Sequence, residues 1–441
     1  MNESADNPRY ALVNHSRVVV LLLLGLVVGV AATGYRTYRQ YSMPSDTFDW
    51  NNRGHSDFHN GVYFPTLAFR EGVNPYSNAM VDRYLIPRSS PIYSPVVFIW
   101  HAPLSVPALN EADILFFLLN TAMLGLLAWM GIRMSNQRHH RGLWILLFAI
   151  LVYSRPGHVT LFTGYFTAEL VIGSIVALHF GSTRPFLSGL GMLLASGKPT
   201  YVLPLIVLLL CRRNYRAVAI GIALCVAGGL IGLGWLASFS NPMEVVAGIN
   251  EGRMALHGDA TEDPVNTWTR LDTVGVVSKI MGWKPNDFVY LGSMLVLLVV
   301  PGWLVFKASL NERNRGATGL TATIACLTIL VSIYHHAYDS LLMVVPWIGI
   351  TFFGSIDRAE MPEWARRTLA VLLAVPLANY LSTRAFLQKA GLDPQGYVWE
   401  SITSANGVCL LLALVIVLWN AWKLSTKTSP AATGDQIVSG S

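Results

Sequence analysis

Twelve apolar runs separated by polar connections constrain this sequence more than any other feature. The first extends from Val18 to Gly34. The others cover residues 112–132, 142–154, 165–181, 186–197, 200–211, 217–238, 288–306, 317–334, 340–356, 366–380 and 403–422. A helix needs about 20 predominantly apolar residues to cross a bilayer, and several of these runs are shorter. The pattern predicts an all-α polytopic membrane protein with about twelve transmembrane helices.

The composition excludes the soluble alternatives. Of 441 residues, 53% are hydrophobic and 13% are charged, whereas soluble domains carry about 25% charged residues. High apolarity without a Gly-X-Y or heptad repeat also excludes disordered, collagen-like and coiled-coil chains. The four cysteines lie in or beside apolar runs without CxxC spacing, so we expect free thiols and no zinc site there.

Basic residues in short connections predict the orientation. They form four clusters: Arg133, Arg138 and Arg141; Arg212, Arg213 and Arg216; Lys307, Arg313 and Arg315; Arg358, Arg366 and Arg367. Twelve alternating spans put all four clusters and both termini on one side, which the positive-inside rule assigns to the cytoplasm. The net charge of +6 then reflects topology, and no nucleic-acid partner is expected. The first run could instead be a signal peptide, but the number of later spans favours a retained helix.

This topology predicts one membrane domain in the plasma (inner) membrane. We expect a cytoplasmic N-terminus at residues 1–17, the membrane domain at 18–422, and a disordered cytoplasmic tail at 423–441. The two largest outer loops are residues 35–110 and 239–287. Because functional residues concentrate in loops held by a rigid scaffold, we expect an extracytoplasmic active site.

The first outer loop contains a carboxylate between two histidines, in the order His55, Asp57, His59. A suitably placed carboxylate can take a proton from a hydroxyl group. The alternative is a solvated loop aspartate or a helix cap. Asp49 is a second candidate for the same role.

A second polar cluster, which contains His335, His336 and Asp339, lies at the outer end of a span. Ionisable residues at membrane depth are functional candidates by default. Hydrogen bonding to an anion or proton transfer would suit them; the alternative is an interfacial polar corner. Adjacent histidines rarely bind one metal, and the sequence has neither HExxH nor Asp-x-Asp, so we expect no metal and no cofactor.

Three cations complete the outer-face candidates. Lys198 lies between a glycine and a proline at a predicted helix break. It could bind a lipid-linked phosphate, or it could extend to the interface with its stem along apolar surface. Arg155 and Arg270 are also expected on the outer side. Considered one at a time, each is expected to have a structural role or to lie at the membrane interface.

The order of these motifs resembles glycosyltransferase family 87. The first loop has Asp57 and Tyr63, then Gly72-x-Asn74-Pro75-Tyr76, then Pro91-x-Tyr93-x-Pro95 and Pro103. Later parts of the chain, which are also similar to the family, are Gly197-Lys198-Pro199, Arg212-Arg213-x-Tyr-Arg216, and His335-His336-x-Tyr-Asp339 ahead of Pro346. The resemblance covers about residues 15 to 420.

The resemblance implies a GT-C-type fold with amphipathic helices in the first outer loop. It also implies an inverting transfer of a sugar from a polyprenyl-phosphate donor to a glycolipid or glycan acceptor. The catalytic aspartate of the family maps onto Asp57, although Asp49 stays open as the base. The stretch Gly164-Tyr165-Phe166-Thr167 departs from the family pattern, which leaves acceptor contacts there undefined.

With this reaction in view, other residues take candidate roles. The residues that could stabilise the leaving phosphate or transfer a proton are Lys198, His335, His336, Arg270 and Arg155. Supporting positions are Asp49, His59, Tyr63, Asn74, Tyr76, Tyr93 and Asp339. Both mannose and arabinofuranose fit the family as donor sugars, and the acceptor and oligomeric state stay open.

Two other functions compete with this one. A lipid-linked glycan transporter or flippase would use intramembrane Lys198 and Glu169, but transporters generally contain repeats with broken helices at the midplane, and no repeat is evident. A glycan polymerase or ligase would also act on the outer face, and its product would separate it from a single-sugar transferase.

Overall fold

The computed structural model of the chain describes residues 15–42, 54–86, 93–135, 141–258, 263–312, 315–393 and 396–426. These segments are helical and contain no strand, apart from an isolated bridge between Arg270 and His336. The α-helices are α1 Ser16–Ser42, α2 Phe64–Arg70, α3 Asn78–Tyr84, α4 Val96–His101, α5 Leu109–Met134, α6 Arg141–Tyr153, α7 Arg155–Thr163, α8 Thr167–Phe180, α9 Pro185–Ala195, α10 Pro199–Cys211, α11 Tyr215–Ala237, α12 Pro242–Gly258, α13 Thr273–Met281, α14 Asp287–Ala308, α15 Leu320–Ser332, α16 Val344–Ile348, α17 Glu363–Ala378, α18 Arg384–Lys389 and α19 Tyr397–Thr426. Short 3₁₀ or π-helical segments are Phe58–Tyr63, Ala102–Ser105, Ala337–Met343, Gly349–Phe353 and Tyr380–Ser382.

Five helices among the described residues are long and apolar enough to cross a membrane: α1, α5, α11, α14 and α19. The consecutive helices α6 and α7 form a sixth candidate that bends by 66°. Six further apolar segments have 10–17 residues. The all-α polytopic membrane fold predicted from the sequence is confirmed, while the count of twelve spans stays a prediction.

The connections between helices gather at two separate ends of the bundle. At one end Arg212 donates hydrogen bonds to Leu178 O at 2.6 Å and Thr321 Oγ1 at 3.0 Å, and Thr318 donates to Met134 O at 3.2 Å. Arg212 belongs to one of the basic clusters, so these contacts join connections expected on a common side. The polar residues of the candidate site meet at the other end.

Close contacts between small residues hold part of the bundle together. Helix α9 packs against α8 and α11. A Cβ at Gly191 would lie 2.5 Å from Gly173 O, and a Cβ at Gly173 would lie 2.6 Å from Gly191 O. Such contacts let two backbones approach closely, which is a main source of helix association within lipid.

Two connections carry more helix than the sequence predicted. Residues 155–164 were expected as a short outer loop, but all except Gly164 form α7, because Ser154 caps the Gly157 N–H. The outer loop at 239–287 contains α12 and α13. Helix α19 ends at Thr426, so it continues into the expected tail, and residues 427–441 lie outside the described segments. The four cysteines are free thiols, as predicted.

Candidate functional site

Asp57 is half-buried in a turn that the rest of the fold positions tightly. His55 precedes it with φ +56°, in the left-handed region that non-glycine residues rarely adopt. The backbone N–H of His55 donates to Phe162 O at 2.8 Å, which secures the turn to the end of α7. A π-helix, Phe58–Tyr63, follows at once, and π-helical turns are frequent at functional sites.

The histidines that flank Asp57 bind a different carboxylate. His55 Nδ1 and His59 Nε2 lie 2.8 and 2.7 Å from the same oxygen, Oδ1 of Asp113. Asp113 lies near the start of α5. Asp113 was not predicted as a site residue, although it lies with Glu111 at the start of an apolar run.

Asp339 is the centre of the second polar cluster and is fully buried. Lys198 Nζ lies 3.1 Å from its Oδ2, and the Tyr201 hydroxyl donates to its Oδ1 at 2.8 Å. The backbone N–H of His336 also donates to Oδ2 at 2.9 Å. The carboxylate thus holds together the α9–α10 break and the 335–339 corner.

Lys198 is enclosed and does not reach the interface. It is 5% exposed, and its ammonium lies 5.5, 5.8 and 5.7 Å from the ring centroids of Tyr165, Tyr201 and Tyr338. Cation–π contacts of this kind strengthen when the cation is desolvated. The alternative of a lysine extended along apolar surface is therefore wrong.

The 335–339 corner also packs against the loop ahead of α13. The Leu271 N–H donates to His335 O at 2.9 Å, and His336 Nδ1 lies 2.8 Å from the Thr269 hydroxyl. Arg270 makes a two-point contact with Asp272, at 2.9 and 2.7 Å, and lies 4.9 Å from the centroid of the Tyr334 ring.

The ionisation of two groups in this region follows from burial and neighbours. Burial alone would raise the pKa of Asp272, but the Arg270 guanidinium outweighs it, so the pKa lies below its usual value. Burial lowers the pKa of His335 to about 4, so its ring is neutral at physiological pH. With Nδ1–H donating to Ile333 O at 3.0 Å, Nε2 of the neutral ring is an acceptor.

Aromatic side chains connect the Asp57 turn to the Asp339 cluster. Burial raises the pKa of the Tyr338 hydroxyl, and the charges of Asp339 and Asp57 raise it further. The centroid of the Tyr165 ring lies 4.8 Å from the centroid of the Tyr338 ring and 6.0 Å from that of the Tyr93 ring. Gly164, at φ +69°, fits against the turn: a Cβ there would lie 2.7 Å from Phe58 Cβ. The predicted site residues that the structure brings to one end of the bundle are Asp57, Lys198, His335, His336 and Arg270.

Other predicted site residues support the first loop. The Tyr63 hydroxyl donates to Pro107 O at 3.0 Å, and the buried Tyr76 hydroxyl donates to Tyr93 O at 2.6 Å. Asn74 Oδ1 accepts the Tyr76 N–H at 3.0 Å, as expected for a turn. These contacts shape the loop around the site.

Arg155 does not join the cluster. Arg155 is buried and donates to the hydroxyl of Ser382 and, at 3.1 Å, to its carbonyl oxygen. It therefore anchors the short 3₁₀ segment before α18. Asp49 lies outside the described residues.

Three tyrosines in the site were not predicted as site residues: Tyr165, Tyr201 and Tyr338. Tyr165 occupies the stretch that departs from the family pattern, and Tyr338 lies inside the histidine motif. Tyr201 follows Lys198 by three residues, so both lie on one face of a helix start. This three-residue spacing from Lys198 could have identified Tyr201 as a site residue from the sequence.

Comparison with known proteins bears directly on the identity of the chain. The family model described as Glycosyltransferase family 87 matches residues 92–332, more than half of the sequence. No curated protein and no solved structure matches the chain. The matched region contains Lys198 and Arg270. The chain is therefore a glycosyltransferase that belongs to family 87.

Proposed function

We propose that this protein is an inverting glycosyltransferase that moves one sugar from a polyprenyl-phosphate donor to a glycolipid or glycan acceptor. The observation that carries the proposal is the buried Lys198–Asp339 pair, with Lys198 Nζ 3.1 Å from Asp339 Oδ2 and three tyrosine rings around the ammonium. The membership of the chain in a glycosyltransferase family gives that arrangement its chemistry.

In the proposed reaction Asp57 removes the proton of an acceptor hydroxyl group. The hydroxyl oxygen then forms a bond to the anomeric carbon, and the bond between that carbon and the phosphate oxygen breaks. Polyprenyl phosphate leaves with the electron pair, and the configuration at the anomeric carbon inverts. A positioned general base contributes typically 10²–10⁴-fold to such a step.

Negative charge builds on the phosphate oxygen as the donor bond breaks, and fixed cations lower the barrier if they meet that charge. Lys198 has three N–H groups, of which Asp339 accepts one at 3.1 Å. We propose that the ammonium uses another for the phosphate. His336 and Arg270 border the same region, whereas the neutral His335 offers an acceptor atom for a sugar hydroxyl.

The site would lie on the extracytoplasmic face of the plasma membrane, with both termini in the cytoplasm. The basic cluster around Arg212 supports this orientation, because Lys198 and Arg212 flank opposite ends of α10. A donor carried on a polyprenyl chain would reach the site from the bilayer. No nucleotide sugar is needed, because the sugar arrives already activated.

Reconstitution in proteoliposomes tests the proposal. The protein would receive synthetic polyprenyl-phosphate mannose or arabinofuranose together with glycolipid acceptors extracted from membranes, with nucleotide sugars as control donors. Mass spectrometry should show acceptors one sugar heavier with the polyprenyl donor alone, and NMR should show an inverted anomeric configuration. Transfer from nucleotide sugars or a retained configuration would contradict the proposal. Movement of lipid-linked glycan without covalent transfer would identify a flippase, and transfer of a preassembled glycan would identify a ligase.

A further inference from the structure

A compact group of metal-ligand side chains lies beside the Asp57 turn. His55, His59 and Asp113 each offer one ligand atom, and these atoms all lie within 4.8 Å of one another. The side chains are 4%, 6% and 13% exposed, respectively. None of the three carries out a step of the proposed transfer reaction, for which only His59 was predicted from the sequence, as a supporting residue.

The fold prepares this group before any ligand binds. The His59 N–H donates to His55 O at 2.9 Å, and both rings approach Asp113. The left-handed backbone of His55 and its 2.8 Å hydrogen bond to Phe162 O fix the first ring. Asp113 comes from α5, so the group joins two parts of the chain separated by more than fifty residues.

The contact pattern is more convergent than an ordinary pair of hydrogen bonds requires. Both rings approach the same atom, Asp113 Oδ1, at 2.8 and 2.7 Å, although a carboxylate offers two oxygens. Tetrahedral zinc holds nitrogen and oxygen ligands at about 2.0–2.2 Å, which sets neighbouring ligand atoms about 3.3 Å apart. The two nitrogen–oxygen distances would each lengthen by roughly half an ångström to match that spacing.

We propose that His55, His59 and Asp113 form a binding site for a divalent transition-metal ion, with zinc the best match. Two imidazoles and one carboxylate suit zinc and its neighbours in the first transition series, whereas calcium and magnesium prefer all-oxygen sites. Three protein ligands leave a fourth position for water. The sequence-based expectation of no metal rested on other residues, because it considered the adjacent pair His335 and His336.

A bound ion would fasten the turn that carries Asp57 to α5. Asp57 lies midway between the two histidines in sequence and is not one of the three ligand residues, so the ion would stiffen the turn without using Asp57 as a ligand. The proposal does not depend on the identity of the transferred sugar or on Asp57 being the base.

Metal binding by the purified full chain tests this inference without an activity assay. Protein treated with a chelator and exchanged into metal-free buffer would be titrated with ZnCl₂ by calorimetry, and with CoCl₂ while visible absorption is recorded. We expect one ion per chain, visible bands typical of four-coordinate cobalt, and a higher Tm with zinc than with EDTA. His55→Ala and Asp113→Asn should each weaken zinc binding at least 100-fold.

His158→Ala is the matched control, because His158 is also an outer-end histidine but contacts Thr33 and Arg36 instead. It should bind zinc like the unmodified chain. The inference is overturned if the unmodified chain binds no zinc at 100 μM and shows no change in Tm. It is equally overturned if both site variants retain unchanged affinity. If a variant fails to fold, the cobalt spectrum and Tm shift of the unmodified chain decide.

Discussion

The ammonium of Lys198 and the carboxylate of Asp339 lie 3.1 Å apart inside the protein, although 141 residues separate them in the chain. The Lys198 side chain is 7% exposed and the Asp339 side chain is fully buried. Two charges removed from water cost several kcal/mol each unless they are paired. The pair therefore keeps the α9–α10 break beside the 335–339 corner.

Replacing one member of the Lys198–Asp339 pair should lower the free energy of unfolding far more than replacing both members. Lys198→Met leaves Asp339 as an uncompensated buried charge, so we expect a loss of about 3–5 kcal/mol in the free energy of unfolding. The double variant Lys198→Met/Asp339→Leu should recover a large part of that loss. Thermal unfolding in detergent measures both. A loss in the double variant equal to the sum of the losses in Lys198→Met and Asp339→Leu would show that the charges do not interact.

The same single variant should also weaken donor binding. If Lys198 contacts the phosphate, Lys198→Met and the double variant should both bind polyprenyl-phosphate sugar at least tenfold more weakly. The double variant matters here because its stability is partly restored. Normal donor affinity in it would limit Lys198 to a structural role.

Gly164 should be intolerant of a side chain because of what it touches. A Cβ there would lie 2.7 Å from Phe58 Cβ and 3.2 Å from the His55 ring. Gly164→Ala should therefore displace the Asp57 turn and reduce turnover. We expect a loss of stability about 1–3 kcal/mol greater than left-handed backbone strain alone produces.

Gly282→Ala provides the matched control for that comparison. Gly282 also ends a helix with positive φ, at +60°, but a Cβ there would meet nothing within 4 Å. It should show the backbone strain without the loss of turnover. Identical turnover in the two variants would contradict the proposed fit of Gly164 against the turn.

Lys279 should make stability rise with pH. Burial lowers its pKa to about 7, against 10.5 for the unperturbed group. The unfolded chain then binds more protons than the folded chain between pH 7 and 10.5. The destabilisation caused by burying Lys279 has its full value below pH 7 and decreases as the pH rises from 7 to 10.5.

Lys279→Met should raise Tm at pH 7 and flatten the increase in stability toward pH 10. The exposed Lys284, whose side chain is 62% exposed, gives the control variant Lys284→Met, which should leave the pH profile unchanged. Unfolding curves at pH 7, 8.5 and 10 provide the measurement. A Lys279→Met profile parallel to that of the unmodified chain would contradict the shifted pKa.

The sequence predicted the helices well because lipid imposes one requirement on every span. Backbone groups in hydrocarbon must be paired within the segment, so apolar runs become helices. The run at 217–238 became α11, Tyr215–Ala237, and the run at 288–306 became α14, Asp287–Ala308. Residues 155–164 were misassigned because Arg155 and His158 gave that segment the polarity of a loop, whereas local capping by Ser154 determined its structure.

The site was predictable in part for a different reason. Lys198 and Asp339 could each be recognised from sequence as costly ionisable groups in apolar surroundings. Their pairing could not, because a contact across 141 residues depends on how the helices pack. The same limit applies to Asp113, whose partners His55 and His59 come from another part of the chain.

The most direct test of the proposed mechanism compares Asp57→Asn with the unmodified enzyme in reconstituted membranes. The substitution keeps the size of the side chain but removes the base. Turnover with the polyprenyl-phosphate sugar should fall at least 100-fold, while donor affinity and Tm stay within error. Asp82→Asn, at an exposed position on α3, is the control and should retain full turnover. Loss of turnover in Asp57→Asn with intact donor binding is the predicted result, and turnover within a few-fold of the unmodified enzyme would contradict the assignment of Asp57 as the base.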